Sequence, residues 1–181
     1  VTNETAIRAV HLGLLRLAPQ DSPFPGRKGN EKPYIIDARG AGTNIKLRLL
    51  IVSLLSDLLQ TYEPFDVIGG VSKSGVTWGS WLAWDKRAAY ATVLPDGPRT
   101  SGLQRSVEGD VRGKRVVLVD NWVRTGESLS QAIEQVSIAG GEVVGAVAIA
   151  RHEASSVGFK LSTIWTDSEL LEAMSVHSQD R

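Results

Sequence analysis

With 181 residues, 20 of them basic and 20 acidic, the chain is long enough for one domain with a real core, and its charges cancel. That balance carries no global electrostatic signature for nucleic acid or a membrane surface, so neither is expected as a partner. The absence of cysteine excludes disulfides, thiol catalysis and thiolate metal sites, and His11, His152 and His177 stand at no metal-ligand spacing from one another.

Residues 4 to 17 read as an amphipathic helix capped by Asn3. Arg8, His11 and Arg16 make this stretch too polar for a signal sequence or membrane span, so a soluble, cytoplasmic protein is expected. Gln20 to Lys32, rich in Pro, Gly and charge, reads as loop, and Tyr34 to Asp37 as a short strand. Asn44 to Tyr62 is the longest apolar-periodic run, a helix with Leu47, Leu50, Ile51, Leu54, Leu55 and Leu58 as its buried stripe. An apolar strand, Phe65 to Gly70, then ends in the polar loop Val71-Ser72-Lys73-Ser74-Gly75. The helix after it carries Trp78, Trp81 and Trp84, which read as packing residues rather than a base-stacking platform. Ala89 to Leu94 is a strand. Pro95 to Val107 is turn-rich with nothing to hold it down, and long segments of that kind in compact domains are usually mobile and functional.

The organising stretch is Arg115 to Gly141. A strand, Val116 to Val119, runs into Asp120 and Asn121, and a polar turn, Arg124 to Ser128, opens into a helix. Leu129, Ala132, Ile133 and Val136 give that helix its i, i+3, i+4, i+7 face, and Gly140 and Gly141 end it. Glu142 to Ala150 is an almost wholly apolar strand, followed by a loop near Arg151, a strand at Lys160 to Trp165 and a closing helix from Asp167. Continuously apolar strands alternating with helices predict a parallel sheet covered on both faces.

The loops exclude some chemistries. Gly70 and Gly75 have P-loop spacing, but Val76 and Thr77 stand where that motif needs Lys and Ser/Thr. No G-x-G-x-x-G follows a strand, and no G-x-S-x-G elbow is present. Two strand-end loops remain. Ser72, Lys73, Ser74 and Gly75 form a small-residue concavity with one cation. Arg124, Thr125, Gly126, Glu127 and Ser128 offer N–H groups, hydroxyls and a partial positive charge at a helix N-terminus, Glu127 through its N–H alone. Asp120 lies between them as a partner for sugar hydroxyls or magnesium. Two anion sites flanking a carboxylate suit a substrate with a phosphate at each end and a sugar between.

VVLVDNWVRTGES resembles the motif with which type I phosphoribosyltransferases bind 5-phosphoribosyl 1-diphosphate (PRPP), and the resemblance covers most of the chain. GRKGNEKPYIIDAR, DVIGGVSKSG, RTSGLQRSVEGD and IARHE make it most similar to the orotate phosphoribosyltransferases within that family. The resemblance implies a three-layer α/β fold in one domain, residues 1–181, with a central, mainly parallel sheet, a small N-terminal hood over roughly residues 1–40 and a core over 41–181. It implies Mg²⁺-dependent transfer of a phosphoribosyl group from PRPP to a nucleobase, orotate favoured. Asp120 and Asn121 would meet the ribose, residues 124 to 128 the 5-phosphate, and Ser72, Lys73 and Ser74 the diphosphate. Magnesium would be held mainly by that diphosphate, with Asp120 as the protein's own ligand. Arg151 and Tyr34 would contact the base. Asp120 and Arg99 would carry catalysis, Arg99 on a segment, Pro95 to Val107, that closes over the neighbouring site of a homodimer.

The departures from the family pattern define the alternatives. Asn121 stands at the second acidic position and Arg124 replaces a threonine. Pro95, Asp96 and Ser101 replace cations or a histidine in the mobile loop, where Arg99 alone matches a basic position and Arg105 lies nearby. The N-terminal lysine of the orotate enzymes has Phe24 in its place, with Lys28 or Lys32 as substitutes. Each lost cation at a leaving group costs on the order of 3 kcal/mol, by analogy with oxyanion holes. The alternatives are therefore a catalytically weak PRPP- or nucleotide-binding regulator of the same fold, or an enzyme with a different acceptor.

Overall fold

Apolar runs that are too short for helices and bounded by polar turns become strands, and in the second half of this chain they line up side by side. In the computed structural model, which describes residues 3–19, 21–25 and 31–179, the strands and helices fall into two compact units. Ile51–Ile164 is one; Val1–Leu50 with Trp165–Arg181 is the other.

The larger unit carries the sheet. Its strands are β5 (Val67–Val71), β6 (Ala89–Val93), β7 (Val107–Glu108), β8 (Arg115–Val123), β9 (Glu142–Arg151) and β10 (Leu161–Thr166), in the order β10-β9-β8-β5-β6-β7. β5 pairs in parallel with β6 and β8, and β8 with β9; β7 runs antiparallel to β6. Helix α4 (Glu127–Ile138) lays Leu129, Ala132 and Val136 on one face, against Val67, Val116, Leu118, Ala146 and Ala148. The residues between these, Ile68, Val117, Val119, Val147 and Ile149, are buried on the opposite face. Helix α3 (Gly75–Lys86) covers that side. Gly79 comes so near β5 that an added Cβ would lie 2.9 Å from the Gly70 Cα. The later turns of helix α2 (Ile45–Leu59) lie beside α3, where the Ser56 hydroxyl donates to Asp85 at 3.0 Å. Two helical layers thus enclose a mainly parallel six-stranded sheet.

Within the other unit, α1 (Glu4–His11) packs with α5 (Asp167–Gln179), and the Trp165 indole N–H donates to the Thr5 hydroxyl at 3.2 Å. Strand β1 (Leu15–Leu17) pairs antiparallel with β4 (Tyr34–Ile36), and β2 (Phe24–Pro25) with β3 (Glu31–Lys32). Asn3 caps α1 as expected, its side chain accepting from the Thr5 N–H at 3.0 Å.

Among the boundaries that differ from the sequence reading, four shift the most. The helix expected over residues 4 to 17 stops at His11, because Gly13 takes φ +96°, its N–H bonds the Val10 carbonyl and that of Leu14 bonds Ala9. Leu15 to Leu17 then pair as a strand. The Gln20 to Lys32 loop contains the two-residue pair β2–β3; Lys28 lies outside the described residues. The helix expected to reach Tyr62 ends at Leu59 and tightens into a 3₁₀ turn over Gln60–Tyr62. Strand β8 runs on to Val123, so Asp120 and Asn121 belong to the sheet instead of a loop; Asp120 pairs with Ala148 and Val123 with Arg151.

Trp78 is 2 % exposed and meets Trp81 edge to face at 5.0 Å, whereas Trp84 is 87 % exposed. Trp78→Ala is therefore expected to cost about 3–5 kcal/mol in urea unfolding. Trp84→Ala should stay within roughly 0.5 kcal/mol of wild type. Equal losses at both positions would contradict this packing.

Candidate active site

The chain leaves β5 through α3 toward β6 on one side, and leaves β8 through α4 toward β9 on the other. The adjacent carboxyl ends of β5 and β8 are thus a point where strand order reverses, the place where open α/β sheets form a crevice.

Ser72, Lys73 and Ser74 occupy the β5 side. The Ser72 N–H is tied to the Val93 carbonyl at 2.8 Å, the Ser72–Lys73 peptide is cis, and the Lys73 side chain is exposed. Ser74 precedes α3 without capping it. Gly75 is fully packed against β8: a Cβ there would collide with the Val119 carbonyl and stand 3.0 Å from the Asp120 Cα. Only glycine lets the lysine loop lie this close to the aspartate's backbone.

Asp120 is part-buried, and its Oδ1 accepts from the Asn121 N–H at 2.8 Å. Burial pushes its carboxyl up to about 6, and the Asn121 N–H works against that rise. Asn121 turns back on the chain, its Oδ1 accepting from the Trp122 N–H at 2.7 Å. Beyond Val123 the chain makes the turn Arg124 to Ser128. Gly126 sits at φ +80° as the N-cap of α4, with no side chain capping the helix; Arg124, Thr125, Glu127 and Ser128 are exposed. The Thr125 hydroxyl reaches the Glu127 N–H only at 3.4 Å. The first turn of α4 therefore offers backbone donors and the positive end of a helix dipole.

The remaining expected residues lie elsewhere. Arg151 ends β9, half-buried and in register with Val123. Arg99 lies on the segment between β6 and β7, where its Nε is 3.1 Å from the Glu108 carboxylate. Tyr34 belongs to the N-terminal unit, where its hydroxyl donates to the buried Asp167 at 2.5 Å. The structure thus gathers the lysine loop, Asp120 and the α4 turn, and engages Arg99 and Tyr34 with carboxylates of their own units. The sequence reading missed Glu108 and Ser155, whose hydroxyl donates to the Arg124 carbonyl at 2.6 Å. A lone serine in a polar loop gives no local signal of that contact.

Among the described residues no group of three His, Asp or Glu side chains could hold a metal ion. Asp120 is a single carboxylate, so a magnesium ion fits here only as part of a substrate complex, most of its ligands being substrate oxygens and water. Among the described residues no helix is long and apolar enough to cross a membrane.

A doubly covered, mainly parallel sheet with a lysine loop, an aspartate late in a central strand and an open helix N-terminus at its switch point defines an α/β protein of the doubly wound class, an arrangement in which anionic ligands can be held. Residues 47–160 match the phosphoribosyl transferase domain. The orotate phosphoribosyltransferase of Sulfolobus acidocaldarius is 32 % identical over 154 residues, covering 81 % of this chain and 76 % of that protein. The orotate phosphoribosyltransferase of Aeropyrum pernix has a similar fold, with a TM-score of 0.77 and 22 % identity over 94 % of this chain and 99 % of that one. The UMP synthase of Leishmania donovani aligns with a TM-score of 0.80 and 24 % identity over 97 % of this chain, which spans only 38 % of that protein's chain. The chain belongs to the phosphoribosyltransferase family.

The raised Asp120 carboxyl has a consequence for stability. Its folded value, about 6, lies above the ordinary 3.8, so between these pH values the folded chain keeps a proton that the unfolded chain has released. Stability contributed by the protonated form is complete below the lower value and is lost as pH rises through the upper one. Asp120→Asn is therefore expected to be about 2 kcal/mol more stable than wild type at pH 7.5, the full shift being discounted for the carboxyl's remaining contact with water. At pH 4 the two should melt together. A variant less stable than wild type at pH 7.5 would overturn this account.

Proposed function

We propose that the chain transfers a phosphoribosyl group from PRPP to a nucleobase, with orotate as the favoured acceptor and a nucleoside monophosphate and diphosphate as products. The observation that carries this reading is the close approach of Gly75 to Val119 and Asp120. It brings a cationic loop beside a carboxylate on the strand that leads into the α4 turn, which supports a reading in the order diphosphate, ribose, 5-phosphate. The likeness to an orotate phosphoribosyltransferase supports the choice of acceptor.

In this reading the N–H groups of the α4 turn, with Thr125, Ser128 and Arg124, hold the 5-phosphate, and the N–H of Glu127 contributes while its carboxylate stays in solvent. Ser72, Lys73 and Ser74 hold the diphosphate. Asp120, ionised above about pH 6, grips the ribose hydroxyls and offsets the positive charge that grows on the sugar ring as the C1–oxygen bond stretches. Asn121 contributes an uncharged dipole beside it. A magnesium ion bound with PRPP would be held mainly by the diphosphate oxygens, with Asp120 as the protein's own ligand, and would supply charge neutralisation there. Arg151 faces the acceptor base, a role well matched to a planar donor fork. Arg99, once released from Glu108, supplies charge to the departing diphosphate in a neighbouring copy of the chain, in a homodimer. Arginine stays protonated at ordinary pH, so it gives charge rather than a proton.

A second reading, a PRPP- or nucleotide-binding regulator with little turnover, draws on Asn121 and on the Arg99–Glu108 pair. Diphosphate release from PRPP with a panel of bases, beside calorimetric binding of PRPP, separates the two. Turnover with orotate is the expected outcome, and tight binding without turnover supports the regulator. Turnover with another base alone would leave the fold's chemistry and change the acceptor. Lys73→Ala should lower kcat/KM by roughly a hundredfold, and Asn121→Asp should raise kcat. An unaffected Lys73→Ala would remove the lysine loop from the mechanism.

A further inference from the structure

The turn that presents N–H groups toward the crevice must turn its carbonyls the other way, and those carbonyls need donors. The Val123 carbonyl receives the His152 N–H at 2.9 Å, and the Arg124 carbonyl receives the Ser155 hydroxyl at 2.6 Å. The same hydroxyl lies 3.3 Å from the Val123 carbonyl, a weaker second contact. Ser155 is itself held by a turn, its N–H donating to the His152 carbonyl at 2.9 Å. Two residues on, Val157 closes the back of the loop: a Cβ on Gly126 would stand 2.5 Å from the Val157 Cγ1. Val157 and Phe159 pack against the same core cluster as Leu129 and Ala132 of α4, which anchors the far end of the segment.

We propose that Ser155 is a positioning residue for the 5-phosphate loop, and that segment 152–157 is the brace against which the loop is shaped. This inference rests on the reading of residues 124 to 128 as that loop. Ser155 touches no substrate. Its hydroxyl fixes the peptide plane after Arg124, and that plane sets the direction of the Thr125 N–H; Val157 and the N-cap glycine fix the next one. Without the hydroxyl, the Arg124 carbonyl loses its donor, and the peptide is free to rotate toward water. The donors of the turn then have to be ordered when the ligand binds, which weakens binding without removing any group from the site. Arg151, the last residue of β9, immediately precedes this segment and the His152 N–H that holds Val123, so the brace also joins the proposed base contact to the loop.

The test uses calorimetric titration of the full chain with ribose 5-phosphate and, separately, with diphosphate and magnesium. Ser155→Ala is expected to bind ribose 5-phosphate about tenfold more weakly, the effect of one hydrogen bond. Diphosphate affinity should be unchanged. Ser155→Thr, which keeps the hydroxyl, should restore ribose 5-phosphate binding to within about twofold, and Ser156→Ala, an exposed neighbour, should match wild type. In turnover assays Ser155→Ala should raise the KM for PRPP while leaving kcat nearly constant, a split that general loosening of the fold would not give. Should Ser155→Ala prove unstable, the threonine variant against wild type still decides: loss of ribose 5-phosphate affinity with the hydroxyl present counts against the proposal. Equal binding by wild type and Ser155→Ala, or equal weakening toward both ligands, would overturn the brace alone. A wild-type protein that binds diphosphate but not ribose 5-phosphate would overturn the loop reading, and the brace with it.

Discussion

The contact on which the crevice depends is between two backbones. Gly75 opens α3 against the Val119 carbonyl and the Asp120 Cα, with no room for a side chain between them. β5 and β8 are parallel neighbours in register, Gly70 opposite Val119, but β5 stops at Val71 while β8 runs on to Val123, so the loop after β5 turns against the flank of β8 at Val119 and Asp120. A larger residue at 75 would push α3 away from the sheet and carry Lys73 with it. The sheet fixes the height of the site, and the glycine fixes how near its two loops can come. Everything proposed for the chemistry, from the lysine's reach to the aspartate's burial, inherits that distance.

The same closeness explains the state of Asp120. A carboxylate late in a central strand, beside a packed helix start, loses part of its hydration, and one N–H from Asn121 does not restore it. Its charge is therefore costly in the free protein and favoured once a cationic or hydroxyl-bearing ligand arrives. A carboxyl held near 6 is still ionised at neutral pH, so in the proposed reaction it would meet PRPP charged.

The larger unit was readable from the sequence because its signals are redundant. The Val116–Val119 run, the Leu129-Ala132-Ile133-Val136 face and Gly140 each point to the same strand–helix unit, and all appear in the structure. The N-terminal unit was less so. Gly13 lies inside an apolar-periodic stretch, and its left-handed conformation, which divides that stretch into α1 and β1, competes with a pattern that alone favours one helix. The extension of β8 through Asn121 was hidden for a different reason: polar residues argue for a loop unless a neighbour supplies ladder partners, and Ala148 and Ala150 of β9 do so. At the site, residues contiguous in sequence could be grouped by inspection, but Gly75 against Asp120 and Ser155 against Arg124 join positions more than thirty apart and need the sheet to bring them together.

These two kinds of contact also bear on how the chain's unusual residues should be weighed. Asn121 and the cation-poor segment after β6 remove charge, whereas the packing at Gly75 and the brace behind Gly126 preserve shape. Charge placed on a leaving diphosphate matters chiefly in the transition state, when the C1 bond is breaking; donors that hold a resting phosphate act equally before and during that step. In the proposed reading, a chain that keeps the second and thins the first should retain its hold on PRPP better than its rate. The ion pair between Arg99 and Glu108 sharpens the point, since one of the loop's few cations is engaged with a carboxylate. Both partners are well exposed, so the pair is worth roughly a kilocalorie per mole or less and yields readily to a diphosphate, whose charge exceeds that of one glutamate. The resting position of Arg99 is thus compatible with catalysis. What limits the rate in this reading is the number of cations that can follow it into the site.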